Sequence, residues 1–345
     1  MDYKISNAKR VYHKDIDFQR LNRNMKWREN RLSDLIKLAG RFNQFGSEIH
    51  QCPICCSDNI SLFSIIHGYP YCECQSCFHI FLKNPIISED LCSLYASEEH
   101  EKKSHLDKLY CDDDIYQQRI ESIALPKIDF ITSYLPNKGT WLDIGCGSGE
   151  NIYAANKRGW KACGIESDPT EVSFARKQGN SVIQTYLEPG NISGYVANCD
   201  VISLFNILEH ISDPVFFLNM ISQSMKNDTY VIIEVPRHPS LSSFVNMVFP
   251  SLSHHHIGPP VHVRIFSERS IEKMLEQCHL SAEVIWLFGQ DFSEFLLCAA
   301  QNASIDNKLL YYILGKSNFI QKEIDNMDIS DNMILICRKI IPKNG

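Results

Sequence analysis

Residues 140–150 read Thr-Trp-Leu-Asp-Ile-Gly-Cys-Gly-Ser-Gly-Glu, an apolar strand that runs into three glycines at alternate positions. Asn151 to Lys157 continue with helix-compatible residues. Glycines at such a turn permit sharp reversal and let a ligand approach the backbone. A dinucleotide fingerprint would space its glycines G-x-G-x-x-G and face amides toward a pyrophosphate. Here the spacing is G-x-G-x-G, and Asp143 stands two residues ahead of Gly145. A carboxylate there repels a pyrophosphate but pairs with an ammonium, so a cationic nucleoside ligand is favoured over NAD.

The segments that follow fit one parallel α/β unit. Ala162 to Glu166 is a second strand ending in an acid, where a carboxylate can accept both ribose hydroxyls. Ser167 or Asp168 then caps a helix beginning near Pro169. Ser181 to Thr185 is a third strand, with Leu187 and Glu188 placed to border an adenine. Cys199 to Phe205 is a fourth, and it runs into Asn206-Ile207-Leu208-Glu209-His210. Thr229 to Pro236 is a fifth; Glu283 to Phe288 and Asn332 to Lys339 are the last two. Between them, Arg237 to Arg264 holds four prolines and five histidines, and is expected to be a long irregular segment leaving the carboxyl end of a strand. Ser267 caps the next helix, but Ser270 at the third position leaves the reciprocal capping box incomplete.

A second signal lies upstream. Six of the 14 cysteines fall within residues 52–77, and Cys52-Pro-Ile-Cys55 and Cys74-Gln-Ser-Cys77 form two C-x2-C knuckles. Each knuckle aims two sulfurs at one point, and an aromatic, β-branched hairpin between them brings the pairs into a tetrahedron. A structural Zn2+ on Cys52, Cys55, Cys74 and Cys77 is expected, with Cys56 and Cys72 as surplus thiols that either knuckle could substitute. Residues 1–47 carry a net charge of +6 and the remainder −13. Leu21, Met25, Leu32, Leu35, Ala39 and Phe42 recur at helical spacing within that basic arm, so it is expected to dock on its own body or on a second copy. A hydrophobic share of 44% and a charged share of 22% exclude wholesale disorder and a fibrous repeat. No apolar run approaches the roughly 18 residues of a membrane span, and none resembles a secretory core after Met1, so a cytoplasmic location is expected.

Asp143-x-Gly145-x-Gly147-x-Gly149, Glu166 and Leu208-Glu209-His210 resemble, in order and spacing, the motifs of class I S-adenosylmethionine-dependent methyltransferases, over about residues 115–345. The resemblance implies an α/β fold, a doubly wound seven-stranded Rossmann-like sheet with its last strand antiparallel. It also implies that Asp143, Gly145 and Gly147 contact the methionine moiety of S-adenosyl-L-methionine, Glu166 the ribose, and Asn206 the flank of the sulfonium. Cys146, Gly149, Ser167 and Leu187 complete the expected cofactor set. Tyr71 to Phe81, Asn84-Pro85 and Leu94-Tyr95 further resemble a branch with a cysteine-rich ribbon before the core. That branch commonly has glycine after the last cysteine, where this chain has Phe78, which puts the knuckle turn in doubt. Its members methylate sugars on nucleotide carriers, surface polysaccharides and natural products. The expected organisation is therefore a basic helical arm at 1–47, a zinc ribbon at 48–100 and a methyltransferase domain at 101–345, with 236–266 and 291–330 as acceptor-pocket or cap insertions.

Methyl transfer from a sulfonium is an in-line displacement, and an oxygen or activated-carbon acceptor must also lose a proton. His262, in the acceptor segment, is the first candidate base and His210 the second. Glu209 and His210 could ligate a divalent ion, as in quinone-pathway relatives, but those carry a carboxylate where this chain has Asn206, so no metal is expected there. The run His254 to His256 is expected to be solvated. Arg237 and Arg264 could meet a substrate phosphate or form surface ion pairs. The leading expectation is a small-molecule acceptor, a nucleotide sugar or glycan precursor. An RNA base methyltransferase and an inactive scaffold are the alternatives. Segment 48–100 has Lys83 as its single basic residue, which argues against nucleic acid.

Overall fold

The computed structural model describes residues 4–15, 24–42, 46–85, 110–188 and 190–340. Its strands are β1 (Lys9–Tyr12), β2 (Ile60–Ile66), β3 (Tyr69–Cys74), β4 (Ile80–Leu82), β5 (Thr140–Ile144), β6 (Lys161–Glu166), β7 (Val182–Gln184), β8 (Val201–Phe205), β9 (Tyr230–Pro236), β10 (Arg264–Ile265), β11 (Leu280–Phe288) and β12 (Asn332–Lys339). The helices are α1 (Met25–Ala39), α2 (Asp113–Arg119), α3 (Leu125–Thr132), α4 (Glu150–Lys157), α5 (Pro169–Lys177), α6 (Ile192–Val196), α7 (Pro214–Ser224), α8 (Leu241–Val248), α9 (Glu268–Gln277), α10 (Asp291–Asn302), α11 (Lys308–Leu314) and α12 (Ser317–Asn326).

The main sheet runs β1-β11-β12-β9-β8-β5-β6-β7, and only β12 is antiparallel to its neighbours. Strand order reverses between β5 and β8, so their carboxyl ends open a crevice at the switch point. Ile128 and Ile131 of α3, Ile152 of α4 and Val172 of α5 pack on one face of the sheet. On the other face, Phe217 and Ile221 of α7 and Ile271 and Met274 of α9 bury Leu142, Ile202 and Ile233. Strands buried on both faces explain why β8 and β9 read as continuous apolar runs and not as alternation.

The sheet has eight strands, against the seven expected. The extra one is β1, which adds parallel to the edge of β11. Four residues with two basic side chains carry no strand signal of their own. Their place is set by Arg10, which forms a two-pronged ion pair with Glu268 (2.7 and 2.9 Å) and reaches Asp328 at 2.8 Å. The arm is therefore a strand followed by a helix, and only Met25–Ala39 is helical among its described residues. Leu21 of the expected stripe lies outside them. Helix α1 docks on the chain's own body: Met25 packs with Leu297, Ala300, Leu310 and Leu314, and Arg28 is fully buried against Glu294 at 2.7 Å.

Two other expectations change. Segment 237–264 is not irregular throughout, because Ser240 caps α8 through a reciprocal bond with Ser243. The capping box at Ser267 is complete as well: Ser270 bonds back to the Ser267 amide at 2.9 Å, so a hydroxyl does what glutamate usually does. The small sheet, β10-β4-β3-β2, takes its fourth strand from residues 264–265. The ribbon is thus not closed within 48–100; its edge is satisfied by the larger domain. Leu94-Tyr95 lies outside the described residues. Among those described, no helix is long and apolar enough to cross a membrane.

Replacing Arg28 by alanine leaves Glu294 buried without its cation and should cost about 3–5 kcal/mol of stability in urea titration. Adding Glu294→Leu to that variant should recover part of the loss, which a purely steric role for Arg28 would not produce.

Candidate functional site

Six of the expected cofactor residues come together at the crevice. Gly145, Cys146 and Gly147 follow β5, Glu166 and Ser167 follow β6, and Asn206 follows β8; all line one cavity of about 970 Å³. Leu187, after β7, lines it too. Gly145 is at φ +67°, which strains any side chain, and a Cβ there would lie 2.1 Å from Ile207 Cδ1 and displace it. Gly147, at φ +53°, has nothing nearer than Glu171 at 3.7 Å and presents open backbone. Gly149 does not line the cavity; it is the left-handed residue that starts α4.

Glu166 holds the loop in place. Its Oε2 accepts from the Gly147 amide at 3.0 Å, and its Oε1 from the Ser167 and Asp168 amides at 2.7 and 2.9 Å. Asp168, not Ser167, caps α5, accepting from Thr170 and Glu171. Asp143 lies behind the cavity wall rather than on it, 2% exposed. Its Oδ1 accepts from the Ser203 hydroxyl at 2.5 Å, while its Oδ2 is buried without a partner. Burial pushes this carboxyl up to about 7, with the Ser203 bond opposing. A buried acid titrating there, beside a crevice, is a functional-site signature.

The other half of the cavity is lined by His210, His254, His255, His256 and His262. The triple-histidine run is therefore not simply solvated. His255 Nε2 bonds Asp331 at 2.9 Å, and Trp27 of α1 meets His254 edge-on at 6.1 Å. His210 and His262, expected as bases, are neighbours with ring centroids 4.7 Å apart. Burial lowers His210 to about 4 and His262 well below its ordinary value, so both stay neutral. Ser293, Glu294 and Leu297 of the second expected insertion, and Gln290 just before it, also contribute to the wall.

Neither arginine singled out in the sequence lines the cavity. Arg237 is fully buried in ion pairs with Glu268 and Asp328, a structural role. Arg264, also buried, donates to the Ser212 carbonyl at 2.7 Å. Sequence reasoning missed the arm's contribution to the site: Lys14, Trp27, Arg28 and Arg31 all line the cavity. Lys14 is 6% exposed, sits over the Trp286 and Phe288 rings, and is lowered to about 7 by burial. A charge excess alone could not distinguish such residues from solvated ones.

In the ribbon, the sulfurs of Cys52, Cys55, Cys74 and Cys77 all lie within 4.8 Å of one another. Cys52–Cys77 is 3.5 Å and Cys55–Cys74 is 3.6 Å, close to the roughly 3.8 Å edge of a tetrahedron with 2.3 Å zinc–sulfur bonds. Cys56 and Cys72 are outside the cluster. The knuckles match each other: the residue after each pair, Cys56 and Phe78, is left-handed at φ +57° and +58°, and its amide bonds back to the first cysteine carbonyl. Phe78 thus keeps the turn that glycine commonly makes. Gln277 of α9 holds the Ile54 carbonyl and Ser267 the Cys77 carbonyl, which fastens both knuckles to the main domain.

Residues 116–281 match a family described as "Methyltransferase domain". A ribosomal protein L11 methyltransferase of Campylobacter concisus is 28% identical over 109 residues, 31% of this chain and 38% of that protein, so little more than a third of the relative's length is spanned. Among solved structures, magnesium protoporphyrin IX methyltransferase of Synechocystis with bound SAH aligns over 73% of this chain and 100% of its own, at 12% identity and a TM-score of 0.47. The plantazolicin methyltransferase BamL aligns over 73% and 95%, at 16% identity and a TM-score of 0.44.

Ser203→Ala removes the donor that stabilises ionised Asp143, so the Asp143 titration followed by carboxyl NMR should move up from about 7 by about one pH unit or more. An unmoved midpoint would separate the two side chains.

Proposed function

We propose that this chain transfers a methyl group from S-adenosyl-L-methionine to a small-molecule acceptor, a nucleotide sugar or surface-glycan precursor. The observation that carries the reading is the glycine loop held by Glu166, with a buried, half-satisfied carboxylate, Asp143, directly behind it. Such a site suits a ligand with ribose hydroxyls at one end and an ammonium at the other. Gly145, Cys146 and Gly147 would take the methionine end, Glu166 and Ser167 the ribose, Leu187 the adenine, and Asn206 the region of the sulfonium. Gly149 supports the loop from the start of α4. When bound, the donor supplies the activated methyl group; the protein supplies orientation and a dry cavity.

The acceptor would occupy the histidine-lined half. His262 and His210 would receive its proton, although burial makes both weak bases, effective only where the acceptor's own acidity is raised. Arg31 lines the same region and has no ion-pair partner among the described residues, which supports an acceptor carrying phosphate or carboxylate. The basic arm gives little support to RNA: Lys4, Arg10 and Arg28 are engaged with Asp328, Glu268 and Glu294 of the same chain. The four ribbon thiolates would hold a structural Zn2+, closed to further ligands.

Incubation with methyl-labelled donor and cell extract, followed by fractionation, tests the reading: label is expected in nucleotide sugars or glycans, and label in RNA alone would replace the substrate class. A protonated Asp143 no longer attracts an ammonium. Donor affinity should therefore fall as pH drops through about 7, and calorimetry on Asp143→Asn should show weaker binding without that pH dependence. The purified chain should carry one tightly held zinc by elemental analysis, and Cys77→Ser should lose it and unfold at lower denaturant.

A further inference from the structure

Proton removal is most effective at a base poised near the working pH. Burial holds His210 at about 4 and His262 well below its ordinary value, so neither histidine meets that condition. The arm brings another nitrogen into the same cavity. At the end of β1, His13 is left-handed at φ +70°, an uncommon backbone for a residue other than glycine. Its amide donates to the Leu287 carbonyl at 2.9 Å, and its carbonyl accepts from the Trp286 indole at 2.9 Å. Both bonds fix the turn on β11, and the next residue, Lys14, lines the cavity while nearly buried.

Two buried lysines at this end of the cavity share one carboxylate. Lys127 of α3 donates to Glu234 Oε2, and Asn332 donates to Glu234 Oε1 at 3.0 Å. Lys14 is left without an ion pair among the described residues, and its Nζ makes one long bond, 3.4 Å, to the Ile123 carbonyl. The Trp286 and Phe288 rings beside it offer an ammonium some attraction but no hydrogen-bond acceptor of ordinary strength. The charges facing Lys14 are Lys127, Glu234 and, from α2, Arg119, which is itself paired with Glu150. Its chain neighbours His13 and Asp15 bond each other at 2.9 Å, and His13 also meets Asp325 at 3.1 Å. A desolvated lysine among other cations gives up its proton and keeps a lone pair. Burial first, and Lys127 second, lower Lys14 to about 7. The group adjoins the carboxyl ends of β8 and β9: Lys127 lies over the Phe205 ring at 4.4 Å, and the Asn206 amide donates to the Glu234 carbonyl at 2.9 Å.

We infer that Lys14, carried in by the arm, is the catalytic base of this chain, its free amine taking the acceptor's proton during methyl transfer. The role rests on the methyl-transfer reading proposed for the cavity. A bond forms between the acceptor atom and the methyl carbon, the carbon–sulfur bond breaks with its electron pair left on sulfur, and the acceptor's proton moves to Lys14 Nζ. Positive charge thus passes from sulfonium to ammonium, and the net charge in the cavity is unchanged. A cationic donor nearby also keeps the amine neutral until the methyl has left.

Trace acetic anhydride applied to the full-length chain across the neutral and alkaline range, read by peptide mass spectrometry, reports the free-amine fraction of each lysine with no donor or acceptor present. Lys14 is expected to be half-reactive near about 7, against about 10.4 for an ordinary lysine. Labelling that follows the surface lysines, or no labelling at any pH, would overturn the assignment. Transfer is then measured with saturating methyl-labelled donor and the small-molecule fraction of cell extract, so that the effect of Asp143 on donor binding drops out. The rate should rise as pH passes up through about 7, and Lys14→Met and Lys14→Arg should each lower it by about a hundredfold or more. Arginine keeps the charge but does not release its proton, so activity kept in Lys14→Arg would make the residue a charge partner and not a base. Calorimetry with S-adenosyl-L-homocysteine should show the donor pocket intact in both variants. Affinity lost in both, with native circular dichroism, would give Lys14 to donor binding instead. A wild-type chain that neither binds this nucleoside nor transfers label removes the methyl-transfer reading and the base with it; transfer kept in Lys14→Met removes the base alone.

Discussion

Glu166 accepts three backbone amides at the end of β6, and the rest of the site is arranged around that fact. A carboxylate with so many amide donors is held in one geometry. It fixes the glycine loop against the neighbouring strand and starts the turn into α5. The loop could not otherwise keep three left-handed residues in register with a crevice. Because β5, β6 and β8 are parallel, the turns after them converge at one edge, and the switch in strand order leaves the gap that the cavity fills.

The arm lines the cavity, and the ribbon packs behind its histidine wall, where Tyr71 donates to the His262 carbonyl at 2.8 Å. Lys4, Arg10 and Arg28 bring part of the arm's +6 excess to Asp328, Glu268 and Glu294 of the acidic body. Buried pairs of this kind add little net stability but are costly to break, and they fix the position of what they tether. Here they hold Trp27 and Arg31 over the histidine wall. The ribbon in turn pairs β4 with β10, just beyond His262. Metal at the thiolate cluster would therefore brace the acceptor wall as well as the ribbon.

Much of this was legible in the sequence where the signal is local. Strands buried on both faces show as apolar runs, the glycine spacing marks the turn, and two C-x2-C knuckles define four sulfurs. Leu187 followed from the end of a strand, and Asn206 from the resemblance to methyltransferase motifs. What was not legible depends on contacts distant in the chain. Nothing in Lys9–Tyr12 signals an edge strand, because its partner β11 lies about 270 residues away. The three-histidine run looked solvated because its burial comes from α1 and α10, which the local sequence does not reveal. Arg237 reads the same in sequence whether it meets a phosphate or Glu268.

The central claim is that the crevice recognises a nucleoside bearing an ammonium through carboxylates, and not a pyrophosphate. Calorimetry of the full-length chain against S-adenosyl-L-homocysteine and against NAD tests it most directly. Binding of the first with no measurable heat for the second is the result this account predicts. NAD bound at that crevice, with no binding of the homocysteine nucleoside, would contradict it.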